Sequence, residues 1–326
     1  MILVVTSRGD RTADLVEAQF EARGEEYVRL DTETFGTGFT IEFHVTGSSP
    51  TIMFKTGVRE FLGSEVTSIW YRRPLPPVPS EMIRDAAARE FARAELSSLL
   101  DGALFALDCC WVSHPSAIRL ASHKMRQLTV AAKCGFEVPE TCVTMAPARV
   151  REFCAGLRSR GKQTAAKLVS KGPPTAPSPE QQYAVYTTLL GEEDLQGDSA
   201  LAACPAIYQE YIEKKFELRV TVVGKKVFAC EIHSQATEST RVDWRRYDLD
   251  HTPHLPCELE PNLSQRCLAL TREFGLAFAA IDLIVCPDGR VVFLEVNPNG
   301  QWGWIEELTG LPIARAVADL LVSGHA

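Results

Sequence analysis

The spacing of apolar positions changes along the chain, and each change marks an element. Met1 to Thr6 is an apolar, β-branched run that predicts a strand, Ala13 to Arg23 repeats at helical spacing, Gly24 stops it, and Tyr27 to Leu30 returns as a strand. Further strands are predicted around Thr40 to Val45, Thr51 to Lys55 and Ser68 to Tyr71. The proline-rich stretch from Arg73 to Pro79 then forbids regular structure and closes a first, α/β unit. Ser80 is placed to cap a long helix whose apolar stripe reads Ile83, Ala87, Phe91 and Ala94.

Beyond that helix the two periods mix. Residues 117 to 134 predict a helix stopped by Gly135, Val138 to Thr144 a strand, Pro147 to Leu157 a helix with proline in its first turn, and Thr164 to Ser170 a strand. Lys171 to Gln182, with Gly172 and four prolines, is a loop before the short run Tyr183 to Leu189. Ile207 to Ile212, Glu217 to Val223 and Val227 to Ile232 are predicted strands, the last two joined by a tight turn at Gly224-Lys225. A helix from Ser264 to Phe274, two strands flanking Pro287-Asp288-Gly289 and a closing helix from Ile313 to Val322 complete an α+β pattern without internal repeats.

Composition narrows the classes. A chain of 326 residues, 45% apolar and 23% charged, has room for two or three cored domains, which excludes disorder and small disulfide scaffolds. With 34 Lys and Arg against 42 Asp and Glu, the net charge of −8 gives no bulk attraction for nucleic acid or an anionic membrane, and neither is expected as a partner. The apolar runs fall far short of the roughly 18 residues that span a bilayer. The opening run is cut by Arg8, Asp10 and Arg11, unlike a secretory signal, so a cytoplasmic location is expected. Ten scattered cysteines, without zinc-site spacing, are expected to be packed thiols.

The stretch from Ala280 to Asn297 carries the most chemistry. Read as a hairpin turning on Asp288-Gly289, it sets Asp282 opposite Glu295, with Asn297 on the same face about 7 Å further along. Two facing carboxylates among Leu, Ile, Val and Phe demand a cation, and hard oxygen donors suit Mg2+. The alternative is an exposed Asp282 at a sheet edge and a Glu295 paired with an arginine.

Upstream, Glu210 ends a strand, and Glu217, Arg219 and Thr221 share one face of the next while Leu218, Val220 and Val222 take the other. A carboxylate there can accept both hydroxyls of a ribose, and an arginine can reach phosphate or carboxylate. A surface strand of alternating charge would read the same. Lys167 is flanked by small and apolar residues, where an ammonium is costly unless an anion meets it. Lys124 lies in the middle of the helical pattern around His123 to Leu128, and each lysine is also readable as a snorkelling side chain. Gly156 to Gln163 imitates a phosphate loop but follows a helix and lacks the hydroxyl for Mg2+, so it is a helix stop; no GxGxxG follows a strand. Asp243-Trp244-Arg245-Arg246-Tyr247-Asp248 lies in a long loop, which either closes over a reaction centre with an arginine and a carboxylate base or is a surface loop pinned by Trp244.

Taken in order, these features resemble the ATP-grasp ligases, the superfamily of D-alanine:D-alanine ligase and glutathione synthetase, over nearly the whole chain. The order is a lysine on a helix, a lysine on a strand, a Glu-x-Ile hinge with a second Glu seven residues after the first, then Asp, Glu and Asn on paired strands. The phrases Trp70-Tyr71-Arg72-Arg73-Pro74, Val185-Tyr186-Thr187-Thr188, Glu217-Leu218-Arg219-Val220, Val242-Asp243-Trp244-Arg245 and Glu295-Val296-Asn297-Pro298-Asn299-Gly300-Gln301-Trp302 are similar to the ribosomal peptide maturases of the microviridin or graspetide type.

The resemblance implies an ATP-grasp fold: an N-terminal α/β domain over residues 1–113, a central α+β subdomain over 114–205, and a C-terminal α+β subdomain over 206–326 that encloses ATP with the second. It implies that Lys124 and Lys167 hold the phosphates. Gln209, Glu210 and the backbone near Tyr211 and Ile212 would meet the nucleotide at its adenine, Glu217 the ribose, and Asp282, Glu295 and Asn297 would bind Mg2+. Arg219 and Arg245 would grip an acceptor carboxylate, and Asp243 would serve as base or orient the nucleophile. Many small-molecule members carry an arginine two residues before the first metal aspartate, where this chain has Ala280, so Arg219 or Arg245 must supply that charge. The loop after Lys167, often glycine-rich, here runs into prolines. The implied reaction is macrocyclisation of a ribosomally made precursor peptide with a leader and an acidic core, through an acyl phosphate, to an ester or an amide; a homodimer is among the assemblies allowed. Competing expectations are a carboxylate–amine ligase acting on a free amino acid or a protein C-terminus, and a non-catalytic ATP-binding regulatory module.

Overall fold

The computed structural model describes residues 1–47, 49–170, 187–236, 242 and 252–324. The predicted loop from Lys171 to Gln182 and the stretch from Asp243 to Asp248 lie outside them.

Strand β1 (Ile2–Thr6) is buried at every position, as befits a strand covered on both faces. Helix α1 (Arg11–Glu21) follows, its first turn capped by Asp10, which accepts from the Thr12 amide at 3.2 Å. After β2 (Tyr27–Asp31) comes a three-stranded antiparallel sheet of β3 (Phe39–Thr46), β4 (Ser49–Thr56) and β5 (Glu60–Leu62). The chain returns through β6 (Ser68–Tyr71) and helix α2 (Ala86–Phe105) to β7 (Cys110–Val112), giving a parallel sheet ordered β2-β1-β6-β7.

Helix α2 corrects the expectation at Ser80. It starts at Ala86 behind Asp85, whose carboxylate accepts from the Ala88 amide at 2.8 Å. The anticipated stripe faces solvent, with Phe91 69% exposed, whereas Leu100, Ala103 and Leu104 pack on the first-unit core. Which stripe is buried was decided by the sheet the helix meets, a partner that helical periodicity alone does not specify.

The single helix expected over residues 117 to 134 is two: α3 (Pro115–Ala121) and α4 (Lys124–Lys133). Ser122 turns its hydroxyl back to the Ile118 carbonyl at 2.8 Å, and His123 adopts extended dihedrals as the cap of α4. Lys124 therefore stands in a first turn instead of a helix middle. Next, β8 (Thr141–Thr144), α5 (Pro147–Arg158), β9 (Thr164–Lys167), β10 (Thr188–Leu189), α6 (Asp198–Ala203) and β11 (Ala206–Glu210) build an antiparallel sheet ordered β10-β9-β11-β8.

The last sheet is antiparallel and ordered β14-β13-β12-β15-β16, from β12 (Phe216–Val223), β13 (Lys226–Ile232), β14 (His254–Cys257), β15 (Phe278–Val285) and β16 (Val291–Asn297). Helix α7 (Pro261–Glu273) joins α3 and α4 on one face, where Leu218, Val220, Val222, Ile281 and Leu283 are packed. Helices α8 (Gly303–Thr309) and α9 (Ile313–Ser323) share a core with α1, β1 and Trp70, which ties the first unit to this sheet.

Candidate active site

The hairpin β15/β16 reaches the expected pairing by an unexpected route. Its turn has three residues, Pro287 to Gly289: the Cys286 amide donates to the Arg290 carbonyl at 2.9 Å, and Gly289 takes φ +89°. Pairing therefore starts one residue early, as Val285 with Val291 and Leu283 with Phe293. A bulge at Leu294 absorbs the difference, so that Asp282 does face Glu295. Two consecutive side chains, Leu294 and Glu295, consequently line the same cavity.

Around this pair the charges are dense. Arg219, paired across from Asp282, donates from Nη1 to both of its carboxylate oxygens at 2.7 and 2.9 Å. Lys124 reaches the Glu295 carboxylate, and the Asn297 amide donates to Asp282 at 3.0 Å and to Glu295 at 2.9 Å. Asp282 is buried, contrary to the edge alternative, and that burial raises its pKa; Arg219 opposes the shift and Glu295 adds to it. An ammonium in a helix's first turn runs against the helix dipole, so the position of Lys124 makes sense only beside anions.

The residues expected to meet nucleotide also converge. Gln209, buried on β11, accepts from Lys167 at 2.7 Å and donates to Thr141 at 2.9 Å, which fixes the Lys167 ammonium at the cavity wall. Glu210 pairs with Lys162 at 2.7 Å, the lysine of the stretch that imitates a phosphate loop. That stretch is a helix stop: Gly161 has φ +72° and its amide donates to the Arg158 carbonyl at 2.9 Å. Glu217 is buried and accepts from Lys214 at 2.5 Å and from the Ser234 hydroxyl. Tyr211 and Ile212 line the same cavity of about 420 Å³, a size common for small-molecule sites. Asp243 and Arg245 lie outside the described residues.

Sequence reasoning missed Lys162, Lys214 and Ser234. Lys214 sits three residues before Glu217 and carries a readable signal in that spacing; Ser234, seventeen residues away, joins only through the β12/β13 pairing.

The donor set fits a hard divalent cation. Among the described residues no three His, Cys, Asp or Glu side chains form a metal cluster. Two carboxylates and one amide oxygen need phosphate and water to complete a shell, which is how Mg2+ is usually held. No helix among the described residues is long and apolar enough to cross a membrane.

Two α+β sheets around a cavity edged by lysines, carboxylates and an arginine define an ATP-grasp ligase. Residues 1–119 match the MvdD pre-ATP grasp domain and residues 189–321 the RimK-like ATP-grasp domain. No curated protein matches the chain. Among solved structures, a Chryseobacterium gregarium RiPP-associated ATP-grasp ligase in complex with ADP and a leader and core peptide is 29% identical, with a TM-score of 0.90 over 100% of this chain and 97% of its own. The macrocyclase MdnC from Microcystis aeruginosa, bound with precursor peptide MdnA, is 30% identical, with a TM-score of 0.87 over 99% of both chains. The macrocyclase MdnB from the same organism is 29% identical, with a TM-score of 0.79 over 99% of both chains. The chain belongs to the ATP-grasp ligases of the microviridin and graspetide maturase family.

Proposed function

We propose that this ligase closes rings within a ribosomally made precursor peptide that carries a leader and an acidic core. The observation that carries the reading is the gathering of Lys124, Lys167, Arg219, Asp282, Glu295 and Asn297 on one cavity. A substrate Asp or Glu carboxylate oxygen attacks the γ-phosphorus of ATP and ADP leaves, giving an acyl phosphate. A Ser or Thr hydroxyl or a Lys amine of the same peptide then attacks the acyl carbon, inorganic phosphate leaves, and an ester or amide closes the ring.

The chain's own residues do the binding and orienting. Lys124 and Lys167 bind phosphate oxygens, Gln209 to Ile212 meet the adenine end, and Glu217 accepts the ribose hydroxyls once it exchanges its Lys214 and Ser234 bonds. Arg219 and Arg245 grip the acceptor carboxylate, and Asp243 takes or directs the proton of the nucleophile. Asp282, Glu295 and Asn297 would hold Mg2+, which would supply positive charge against the phosphates. The domain limits proposed are 1–113, 114–205 and 206–326, in the cytoplasm; a homodimer is checked by light scattering on the purified protein.

The test is incubation of the protein with a cognate acidic peptide containing Thr or Lys, ATP and Mg2+, followed by mass spectrometry and an ADP assay. Successive losses of one water per ring, each matched by one ADP, are the expected result. A mass gain of one amino acid would instead make it a carboxylate–amine ligase, and ADP binding without turnover a regulatory module.

A further inference from the structure

Arg72, in the phrase Trp70-Tyr71-Arg72-Arg73-Pro74, is not among the residues lining the cavity, yet it is 1% exposed and heavily bonded. From the end of β6 its guanidinium donates to the carbonyls of Asn299 at 2.9 Å and Gly300 at 3.0 Å, and to the Gln301 side-chain oxygen at 2.5 Å. Thr12, at the start of α1, donates to that same Gln301 oxygen at 2.9 Å. The Gln301 backbone carbonyl accepts from Arg219 at 2.8 Å, and Arg219 is the residue bonded to Asp282. One short turn thus carries two guanidinium groups, one from each sheet.

The turn has no slack. A Cβ on Gly300 would stand 2.5 Å from the Ala280 Cβ and 2.9 Å from the Arg219 guanidinium, so the backbone lies flat against β15. Ala280, whose side chain ends at its Cβ, makes that approach feasible. Anchoring a turn does not require a charge, since a neutral amide can donate as well. Here the charge is costly: burial pushes the Arg72 pKa down to about 10, the charges of Arg73 and Arg219 push the same way, and Asp10 at 3.6 Å only partly offsets them.

We propose that Arg72 is a positioning residue: through the turn Asn299 to Gln301 it sets where the Arg219 guanidinium points, so the first unit controls the grip on the acceptor carboxylate. This rests on the reading of Arg219 given above. Arg72 is sealed from the cavity and acts only through the turn. The Arg219 guanidinium is fixed at one end by Asp282 and at the other by a carbonyl whose position Arg72 and Thr12 determine.

The experiment is a double-mutant cycle in the full-length protein with cognate peptide, ATP and Mg2+. Wild-type cyclisation tests the underlying reading, and its absence would overturn that reading by itself. Arg72→Lys keeps the charge and loses the fork; we expect kcat to fall about 10- to 100-fold while the KM for ATP and the affinity for ADP stay within about threefold. In an Arg219→Lys background the same change should cost less than about threefold in kcat, because the partner it positions is already gone. Equal losses in both backgrounds, an unchanged kcat, or a parallel loss of ADP binding would each overturn the proposal. Should Arg72→Lys fail to fold, Thr12→Val removes the second donor to Gln301 and is carried through the same cycle, with a smaller loss expected and the same outcomes deciding.

Discussion

At the scale of single residues, the two carboxylates of the site are not equivalent. Asp282 is buried with Arg219 bonded to it, whereas Glu295 is a quarter exposed and held by Lys124 and Asn297. Removing one partner of a buried ion pair leaves the other charge unpaired, so Asp282→Ala should lower unfolding stability by about 3 to 5 kcal/mol. Glu295→Gln should instead abolish turnover with a shift in stability of less than about 1 kcal/mol, because its ammonium partner can turn to water. Urea unfolding alongside an ADP-release assay separates the two; a Glu295→Gln protein that still turns over would remove the cation site from the account. The acidic pair was legible in the sequence because opposed carboxylates amid apolar residues need a reason. The buried lysine that meets Glu217 was less legible, because an i, i+3 Lys–Glu pair reads the same on an exposed surface as in a buried site.

Elements differ in how much of them the sequence disclosed. Strands β12, β13, β15 and β16 and the helices α1, α7 and α9 follow their periodicity to within a few residues. Helix α2 does not, because Ala and Leu on several faces allow more than one stripe and only the sheet chooses. Accordingly Leu104→Ala, which opens a cavity in the first core, should cost about 2 to 5 kcal/mol. Phe91→Ser, on the exposed stripe, should change stability by less than about 0.5 kcal/mol in the same denaturation assay. The short strands β7 and β14 went unpredicted because pairing with β6 and β13, tens of residues upstream, creates them.

Strand β14 also carries a proton-linked term. His254 packs its ring edge-on against Trp304, 5.2 Å away, and burial holds its pKa below its ordinary 6.5. Between the lowered value and 6.5 the unfolded chain binds more protons than the folded one, so stability rises with pH through that window and is lost on acidification. His254→Gln should flatten this part of a melting-temperature profile; an unchanged slope would place the titration elsewhere.

For the molecule as a whole, sheets from distant parts of the chain meet at one cavity, so a ligand that touches several of them should stabilise all. With Mg2+ and ADP at about a hundred times their dissociation constant, the gain should approach 2.7 kcal/mol, visible as a higher melting temperature. ADP with a chelator should give a smaller rise, and equal rises would mean that the carboxylates take no part in nucleotide binding. The order of chemical groups along the chain made the fold recognisable from sequence. The joint between the first unit and the last sheet was not, since Gln301 lies 289 positions from Thr12 and 229 from Arg72 and meets them only through tertiary packing.

The surplus residue at Leu294 places an oily side chain and an acid one peptide apart on the same wall, where strict alternation would have hidden one of them. Deleting Leu294 would restore an uninterrupted ladder and keep Asp282 facing the acid, while stripping that wall of its greasy neighbour. Such a protein should still take up Mg2+ with pyrophosphate yet lose its hold on the purine, and calorimetry with the two ligands would show whether a single kink in a strand divides the labour of the cleft.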